Sequence, residues 1–472
     1  MWVPHFETEL ELMLLHKERG DDVCVLRCVG NLATCSSNPD HLSVGCLKCI
    51  SRCNQGLSKV GIDAKNVFSI KKMIQMPEVP TVFESLEALQ AFTLWDIEFG
   101  LFVTSSLISE LKDHRFDPKI HAERVYRTLT TSVHVYRSVY DLLTTIKPDV
   151  MYTFNGRFAD LSPAIAACQK LGITFYTHER GSSHKSYSLF KNSLPHNLAA
   201  GKKEIETTWH NAPDSDREII AQQWFTNRRE GAEQAWYSFV EGQQRDLLPE
   251  SFDINKINIT IFNSCIEEYE TFSDWKNTLY PDETQALHAL FEAFAQVDDV
   301  HFYLRVHPNL KNKTCAQMKD LKILEAKNYQ NVTIIWPDHV IDSYALLMKS
   351  NKILTFGSTV GVEATFWGIP SILAGRSLYE DLDVCHIPKT HDDLIAMMNN
   401  PHLKIKNKEG VCRYGFWAAT RGISFKKFQS KGLFSGAFLG EELKPKFGFK
   451  DKLKLRFYSK LDNWKLKSQR RI

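Results

Sequence analysis

Residues 148–179 read PDVMYTF, NGR, FADLSPAIAACQKLG and ITFYTHE: an apolar strand, a short loop, a helix closed by Gly172 and a second strand. Two strands joined through a helix pair parallel, because an antiparallel return needs only a turn. A second run repeats the alternation. It opens with the strand NITIFNS (258–264) and the helix ETQALHALFEAFAQV, followed by the strands HFYLRVHP and NVTIIWP. The helix DSYALLMKS, the strand KILTFGS, a further helix and the strand PSILAG complete it. Strands alternating with helices imply α/β architecture with doubly wound sheets. At 472 residues the chain has room for two such domains. The expected division is an N-terminal α/β domain (1–200), a polar helical linker (201–255), a C-terminal α/β domain (256–425) and a basic tail (426–472).

Composition excludes several classes. Lys and Arg number 58 against 56 Asp and Glu, so no global field points to nucleic acid. The N-terminus lacks the basic and apolar regions of a signal peptide. The most apolar run, FTLWDIEFGLFVTSSLISEL, is broken by Asp96 and Glu98, short of what a spanning helix needs. A cytoplasmic chain is expected. ETELELMLLHKER reads as an amphipathic helix with only MWV before it, so the preceding strand is very short or the true start lies upstream.

Eleven cysteines do not make a secreted disulfide scaffold, but six fall in the first 53 residues: Cys24, Cys28, Cys35, Cys46, Cys49 and Cys53. Two readings are open. Cys35, Cys46, Cys49 and Cys53 could supply four thiolates to a structural zinc, or the thiols are reduced and buried as small hydrophobes.

Asp214-Ser215-Asp216 has the Asp-x-Asp form of metal-dependent sugar transferases, yet it follows Pro213 and opens a helix, so we read it as a cap. Residues 441–472 hold 11 Lys/Arg and 4 Asp/Glu interleaved with aromatic and leucine residues. A basic membrane-surface segment and a solvated terminal helix with one packed face both fit that pattern.

Ligands in open α/β sheets sit at the carboxyl ends of strands, and four strand-end loops carry the polar residues. In LTFGSTVGVEATFWGIP, Gly357 permits a sharp turn, Ser358 and Thr359 begin a helix whose N–H groups favour an anion, and Gly361 follows. Glu363, one turn on, could accept from a ribose. LRVHPN ends a strand with Arg305, His307 and Pro308, and an imidazole there can donate to a phosphate. THERGSSHKSY gathers His178, Glu179, Arg180, Gly181 and Lys185. Asn155, Gly156 and Arg157 end the neighbouring strand. Ser264 ends NITIFNS and joins the substrate-binding candidates.

These motifs carry a resemblance. The second α/β run resembles the donor half of a GT-B glycosyltransferase, a fold of two Rossmann-like domains facing a central cleft. More narrowly, residues 145 to 385 resemble the bacterial capsule polysaccharide biosynthesis group, which includes Kdo and sialyltransferase-like enzymes. His307-Pro308 and Ser358-Thr359 match, in type and order, the His-Pro and Ser-Ser/Ser-Thr motifs with which such enzymes hold a nucleotide phosphate. Glu179-Arg180-Gly181 stands where the family has an acid-acid-Gly motif, with Arg in place of the second acid.

The resemblance implies an inverting, metal-independent glycosyltransferase that takes a CMP-, UDP- or GDP-linked sugar and needs no cofactor. The acceptor would be a capsule or lipopolysaccharide glycan, free or lipid-linked, with the basic tail against the cytoplasmic face of the inner membrane. Glu179, or else His178, would act as base. Arg305, His307, Pro308, Gly357, Ser358, Thr359, Gly361 and Glu363 would hold the donor. Asn155, Gly156, Arg157, Arg180, Gly181, Lys185 and Ser264 would contact substrate. A sugar-nucleotide 2-epimerase of the same fold and a non-catalytic polysaccharide-binding or export partner are the alternatives.

Overall fold

The computed structural model describes residues 2–73, 75, 77–213, 215–236 and 240–469. They divide into two units. The first takes residues up to Glu110, Arg115–Pro195 and the chain from Gly422; the second takes Leu111–His114 and His196–Arg421.

In the first unit, β1 (Val25–Arg27) and β2 (Val67–Ser69) pair parallel as a two-stranded sheet. Strands β3 (Val150–Phe154) and β4 (Thr174–Arg180) also pair parallel, with Phe154 opposite His178. The helix between them, Ser162–Leu171, has Pro163 in its first turn and ends on Gly172 at φ 68°, the left-handed conformation that glycine adopts without steric cost. β4 then turns back antiparallel into β5 (Ser186–Lys191).

The second unit holds β6 (Ile257–Phe262), β7 (Val300–Arg305), β8 (Val332–Ile335), β9 (Lys352–Thr355) and β10 (Ser371–Leu373). All pair parallel in the order β10-β9-β6-β7-β8. The chain lays down β6, β7 and β8 in one direction, then crosses back to place β9 and β10 beyond β6. Strand order therefore reverses between β6 and β9.

Every residue of β7 and β9 is buried, as in parallel strands covered on both faces. On one face Ile259, Ile261, Phe302 and Leu354 pack with Leu287, Leu290 and Phe291 of the helix Glu283–Ala293. On the other, Phe262 and Ile353 meet Leu347 and Ala364. Residues 201–255 lie within this unit. Their helices Leu198–His210 and Arg217–Arg229 bury Ile205 and Phe225 with Tyr414 and Trp417 of the helix Lys408–Thr420. Asp216 is the N-cap residue of Arg217–Arg229 but makes no side-chain capping bond. Asp214 lies outside the described residues.

From Gly422 the chain returns to the first unit. β11 (Ile423–Ser424) adds antiparallel to β5, and β12 (Phe428–Gly432) pairs with β13 (Ser435–Phe438) as a hairpin. Phe428, Phe438 and Leu443 join Phe6, Leu10, Cys53 and Leu57 in one core. The helix His5–Glu18 anchors this return through Glu11, which is fully buried. Its carboxylate accepts backbone N–H bonds from Lys426, Lys427 and Phe428 at 2.7, 3.1 and 3.1 Å. Residues 426–443 thus form part of a core, and the described chain ends in the helix Phe449–Gln469. Val3 and Pro4 form a turn before the first helix.

Candidate nucleotide and catalytic sites

At the carboxyl ends of β6, β7 and β9, three loops of the second unit gather. Asn263 Oδ1 accepts the backbone N–H of His307 at 2.7 Å, which ties the loop after β6 to the loop after β7. Ser264 donates its backbone N–H to Glu283 Oε1 at 2.9 Å, and its carbonyl accepts from Gln317 Nε2 at 2.8 Å. The Ser264 hydroxyl is buried without a well-aligned hydrogen bond and faces the Glu283 carboxyl, whose charged form it favours. Gly357, after β9, sits at φ 146°, and a Cβ there would meet Arg376 O at 2.9 Å and Ser264 Oγ at 3.7 Å. No other residue type fits that turn without displacing the chain.

His307 is half-buried, and its desolvation, followed by the nearby Lys313 charge, holds its pKa down at about 4. Its Nδ1 lies 3.1 Å from the Asn309 backbone N–H and accepts from it. A neutral imidazole that accepts at Nδ1 carries its proton on Nε2, so His307 is an N–H donor at neutral pH. Pro308 opens the 3-10 turn Pro308–Leu310. Ser358 Oγ accepts the Val360 N–H at 3.3 Å, and its carbonyl accepts the Tyr379 hydroxyl.

Four of the donor-site candidates are used differently. Glu363 is 1% exposed. Its Oε1 accepts from Arg228 Nε at 3.0 Å and Thr359 Oγ1 at 3.1 Å, and its Oε2 from Tyr344 OH at 2.5 Å. Both oxygens are occupied in a buried network, so Glu363 is not placed to take a ribose. Thr359 is held in the same network, where its hydroxyl also accepts from Arg228 Nη2 at 3.3 Å. Arg305 turns inward to Ser343 Oγ at 3.2 Å, Trp336 O at 2.7 Å and His339 O at 3.4 Å, bracing the loop after β8. Gly361 is a packing glycine, since a Cβ would stand 2.4 Å from Tyr379 OH. The helix that follows, Val360–Phe366, is only seven residues long.

In the first unit the second group forms at the ends of β3 and β4. Asn155 adopts φ 52°, donates its backbone N–H to His178 O at 3.0 Å and donates Nδ2 to Glu179 Oε2 at 2.8 Å. Glu179 Oε1 accepts the Arg180 N–H at 3.0 Å and lies 3.5 Å from His5 Nε2. The Glu179 side chain keeps 29% exposure, so one carboxylate is both held and reachable. His178 is fully buried, its ring nitrogens without hydrogen bonds and its Nε2 3.6 Å from Glu9 Oε1. Burial, then the charges of His178 and Arg180, hold His5 well below the usual histidine range. The first helix thus brings His5 and Glu9 to this strand end, a convergence that no spacing in the sequence signals.

Arg180 is buried, donates to Val3 O at 3.3 Å and Leu433 O at 2.7 Å, and lies 4.7 Å from the centre of the Phe434 ring. It binds the returning chain rather than a substrate anion. Gly181 donates its N–H to Ser186 O at 2.9 Å and closes the β4–β5 turn. Gly156, at φ 84°, abuts Ile165 and Leu194, and Arg157 lies over the Phe158 ring at 4.7 Å. Lys185 is exposed.

Cys46, Cys49 and Cys53 lie on the helix Ser43–Val60, and Cys35 precedes it. All are free thiols, and burial raises the pKa of each, that of Cys35 to about 12. Among the described residues, no three His, Cys, Asp or Glu side chains are grouped to hold a metal ion. Also among the described residues, no helix is long and apolar enough to cross a membrane.

No protein-family model matches the sequence, and no curated protein does. Solved structures do. The beta Kdo 2,4 transferase KpsC of Thermosulfurimonas dismutans is 13% identical with a TM-score of 0.38, over 57% of this chain and 78% of that one. A putative UDP-N-acetylglucosamine 2-epimerase from Listeria monocytogenes is 12% identical with a TM-score of 0.28, over 87% and 89%. Acinetobacter baumannii MurG is 13% identical with a TM-score of 0.26, over 88% and 92%.

Proposed function

We propose that the protein is an inverting glycosyltransferase that moves a sugar from a nucleotide-activated donor to a bacterial surface glycan or its lipid-linked precursor. One observation carries the reading. The buried Ser264 hydroxyl and the Gly357 turn meet where the strand order of the second unit reverses, with His307 on the adjoining strand end. Open α/β sheets bind ligands at that reversal point, and the groups present there suit a phosphate. Ser264 Oγ–H and His307 Nε2–H donate to phosphate oxygens, and Gly357 lets the backbone approach closely. They stabilise charge as the bond from the anomeric carbon to the phosphate oxygen breaks and the nucleotide leaves with the electron pair.

Transfer also needs a base for the acceptor hydroxyl, whose oxygen bonds to the anomeric carbon as its proton leaves, and within the first unit the Glu179 carboxylate is the group suited to take that proton. Asn155 fixes Oε2, and Oε1, which accepts the Arg180 N–H, keeps a second lone pair for this transfer. The neutral His5 beside it adds no positive charge that would weaken the base.

The test is incubation with candidate CMP-, UDP- and GDP-sugars, with and without glycan acceptors. Nucleotide release that requires an acceptor supports transfer. Conversion of the nucleotide sugar without acceptor contradicts it in favour of epimerisation, and no turnover together with no nucleotide binding contradicts both.

A further inference from the structure

The helix Phe449–Gln469 packs on the first unit through one face only. Asp462 is 7% exposed, and its carboxylate accepts the backbone N–H groups of Ser43 and Val44, each at 2.9 Å, at the start of the helix Ser43–Val60. Leu455, Tyr458 and Leu466 are half-buried on the same side. At 100° per residue, the opposite side carries Phe449, Leu453, Phe457, Leu461 and Trp464. Their spacing of four, four, four and three residues sets them in a single stripe. All five are exposed, between 45% and 79%. A helix that only packed one face on its domain would carry polar residues there. This one carries its largest apolar side chains.

The flanks of the stripe are basic. Arg456 borders one edge and Lys454 the other, and Lys460 falls within the stripe between Phe449 and Leu453, all three exposed. Over residues 449–469 the sequence has seven Lys and Arg against Asp451 and Asp462, and Asp462 is engaged in the cap. Apolar and aromatic side chains rimmed by cations match the boundary of an anionic bilayer, where rings and leucines enter the acyl region and lysines meet headgroup phosphates. A second copy of the chain would set the same cations against one another. A polyanion such as nucleic acid would leave the leucines and phenylalanines without apolar cover.

From this geometry we infer that the helix Phe449–Gln469 lies in the surface of an anionic lipid bilayer, with the Phe449–Trp464 stripe immersed and its long axis parallel to the membrane. The inference stands independently of the glycosyl-transfer reading, because lipid binding needs neither a donor nor an acceptor.

The test is flotation of the full-length protein with vesicles of phosphatidylcholine alone and of phosphatidylcholine containing about 30% phosphatidylglycerol. Partition onto the anionic vesicles is expected to exceed that onto neutral ones by roughly tenfold and to fall at high salt. F457E/W464E, and separately K454E/K460E, should each lose most of this binding. These positions are exposed, so the variants should keep the wild-type melting temperature, and a drop would disqualify that variant in favour of the other. Equal partition onto both vesicle types, or wild-type binding by both variants, would overturn the inference. So would a concentration-dependent dimer in sedimentation that F457E/W464E abolishes.

Discussion

Asn155 Nδ2 donates to Glu179 Oε2 at 2.8 Å, across the parallel pair of β3 and β4. The contact depends on backbone as much as on side chain, because Asn155 turns through φ 52° to reach it. Asn155→Gly keeps that conformation accessible and removes only the amide. It should lower the transfer rate by roughly 10²-fold through misplacement of the carboxylate. Glu179→Gln should lower it further, by about 10²–10⁴-fold, the usual worth of a general base. Neither variant should change nucleotide affinity in a direct titration, and a matching loss of affinity would show that Glu179 serves the fold instead.

Glu363 and Arg228 form an ion pair at 3.0 Å with the carboxylate buried. Burial works against the Arg228 charge, and the Glu363 carboxylate together with Tyr344 and Tyr414 more than offsets it. Arg228→Met leaves a buried carboxylate without its cation and should cost about 3–5 kcal/mol, seen as a large drop in melting temperature. Glu363→Gln should also destabilise, yet the folded variant should still bind nucleotide. Selective loss of nucleotide binding at an unchanged melting temperature would return Glu363 to the ligand site.

Burial pushes the Glu283 carboxyl up to about 8 from an ordinary 4.5. Between those values the folded state holds a proton that the unfolded chain has released, so stability falls as pH rises from about 4.5 to about 8. Glu283→Gln keeps an acceptor for the Ser264 N–H and removes the titration. The melting temperature of Glu283→Gln relative to wild type should therefore climb across that window. A constant difference would place the carboxylate in its charged form throughout.

His307 runs the other way. Its folded pKa of about 4 lies below the ordinary 6.5, so its contribution to stability is present above about 6.5 and is lost as pH falls towards about 4. Because the ring is already neutral, nucleotide affinity should show no histidine titration near 6.5. Such a step, abolished in His307→Leu, would mean that the cationic form binds.

Gly357 holds φ 146° with Arg376 O at 2.9 Å from where a Cβ would stand. Gly357→Ala should cost about 1–3 kcal/mol and weaken nucleotide binding, because the displaced turn faces the Ser264 hydroxyl. Unchanged stability and affinity, read by calorimetry, would show that the turn accommodates a side chain.

Much of this is legible in the sequence. The β3–helix–β4 unit is marked by two apolar runs, Pro163 and Gly172, and the alternation from 258 to 373 spells out a parallel sheet. Local pattern suffices where periodicity and caps decide the element. It fails where direction matters. Arg305 and Glu363 have the chemistry of ligand residues, but strand-end position does not reveal whether a long side chain turns outward or into the fold. It fails also across long separations. His5 and Glu9 reach His178 and Glu179 through a helix some 170 residues away in sequence, and Glu11 holds Lys426–Phe428 across a still greater distance. Nothing in either stretch names its partner.

The most direct test of the account is calorimetric titration of CMP, UDP, GDP and CDP into wild type, Ser264→Ala and His307→Leu. One nucleotide should bind wild type. Each substitution removes a donor to a charged phosphate, worth about 1.5–3 kcal/mol, so each should weaken that binding by roughly 10- to 100-fold while the melting temperature of Ser264→Ala stays near wild type. Binding of none of the four, or equal affinity in all three proteins, would contradict a nucleotide-phosphate site at the ends of β6, β7 and β9.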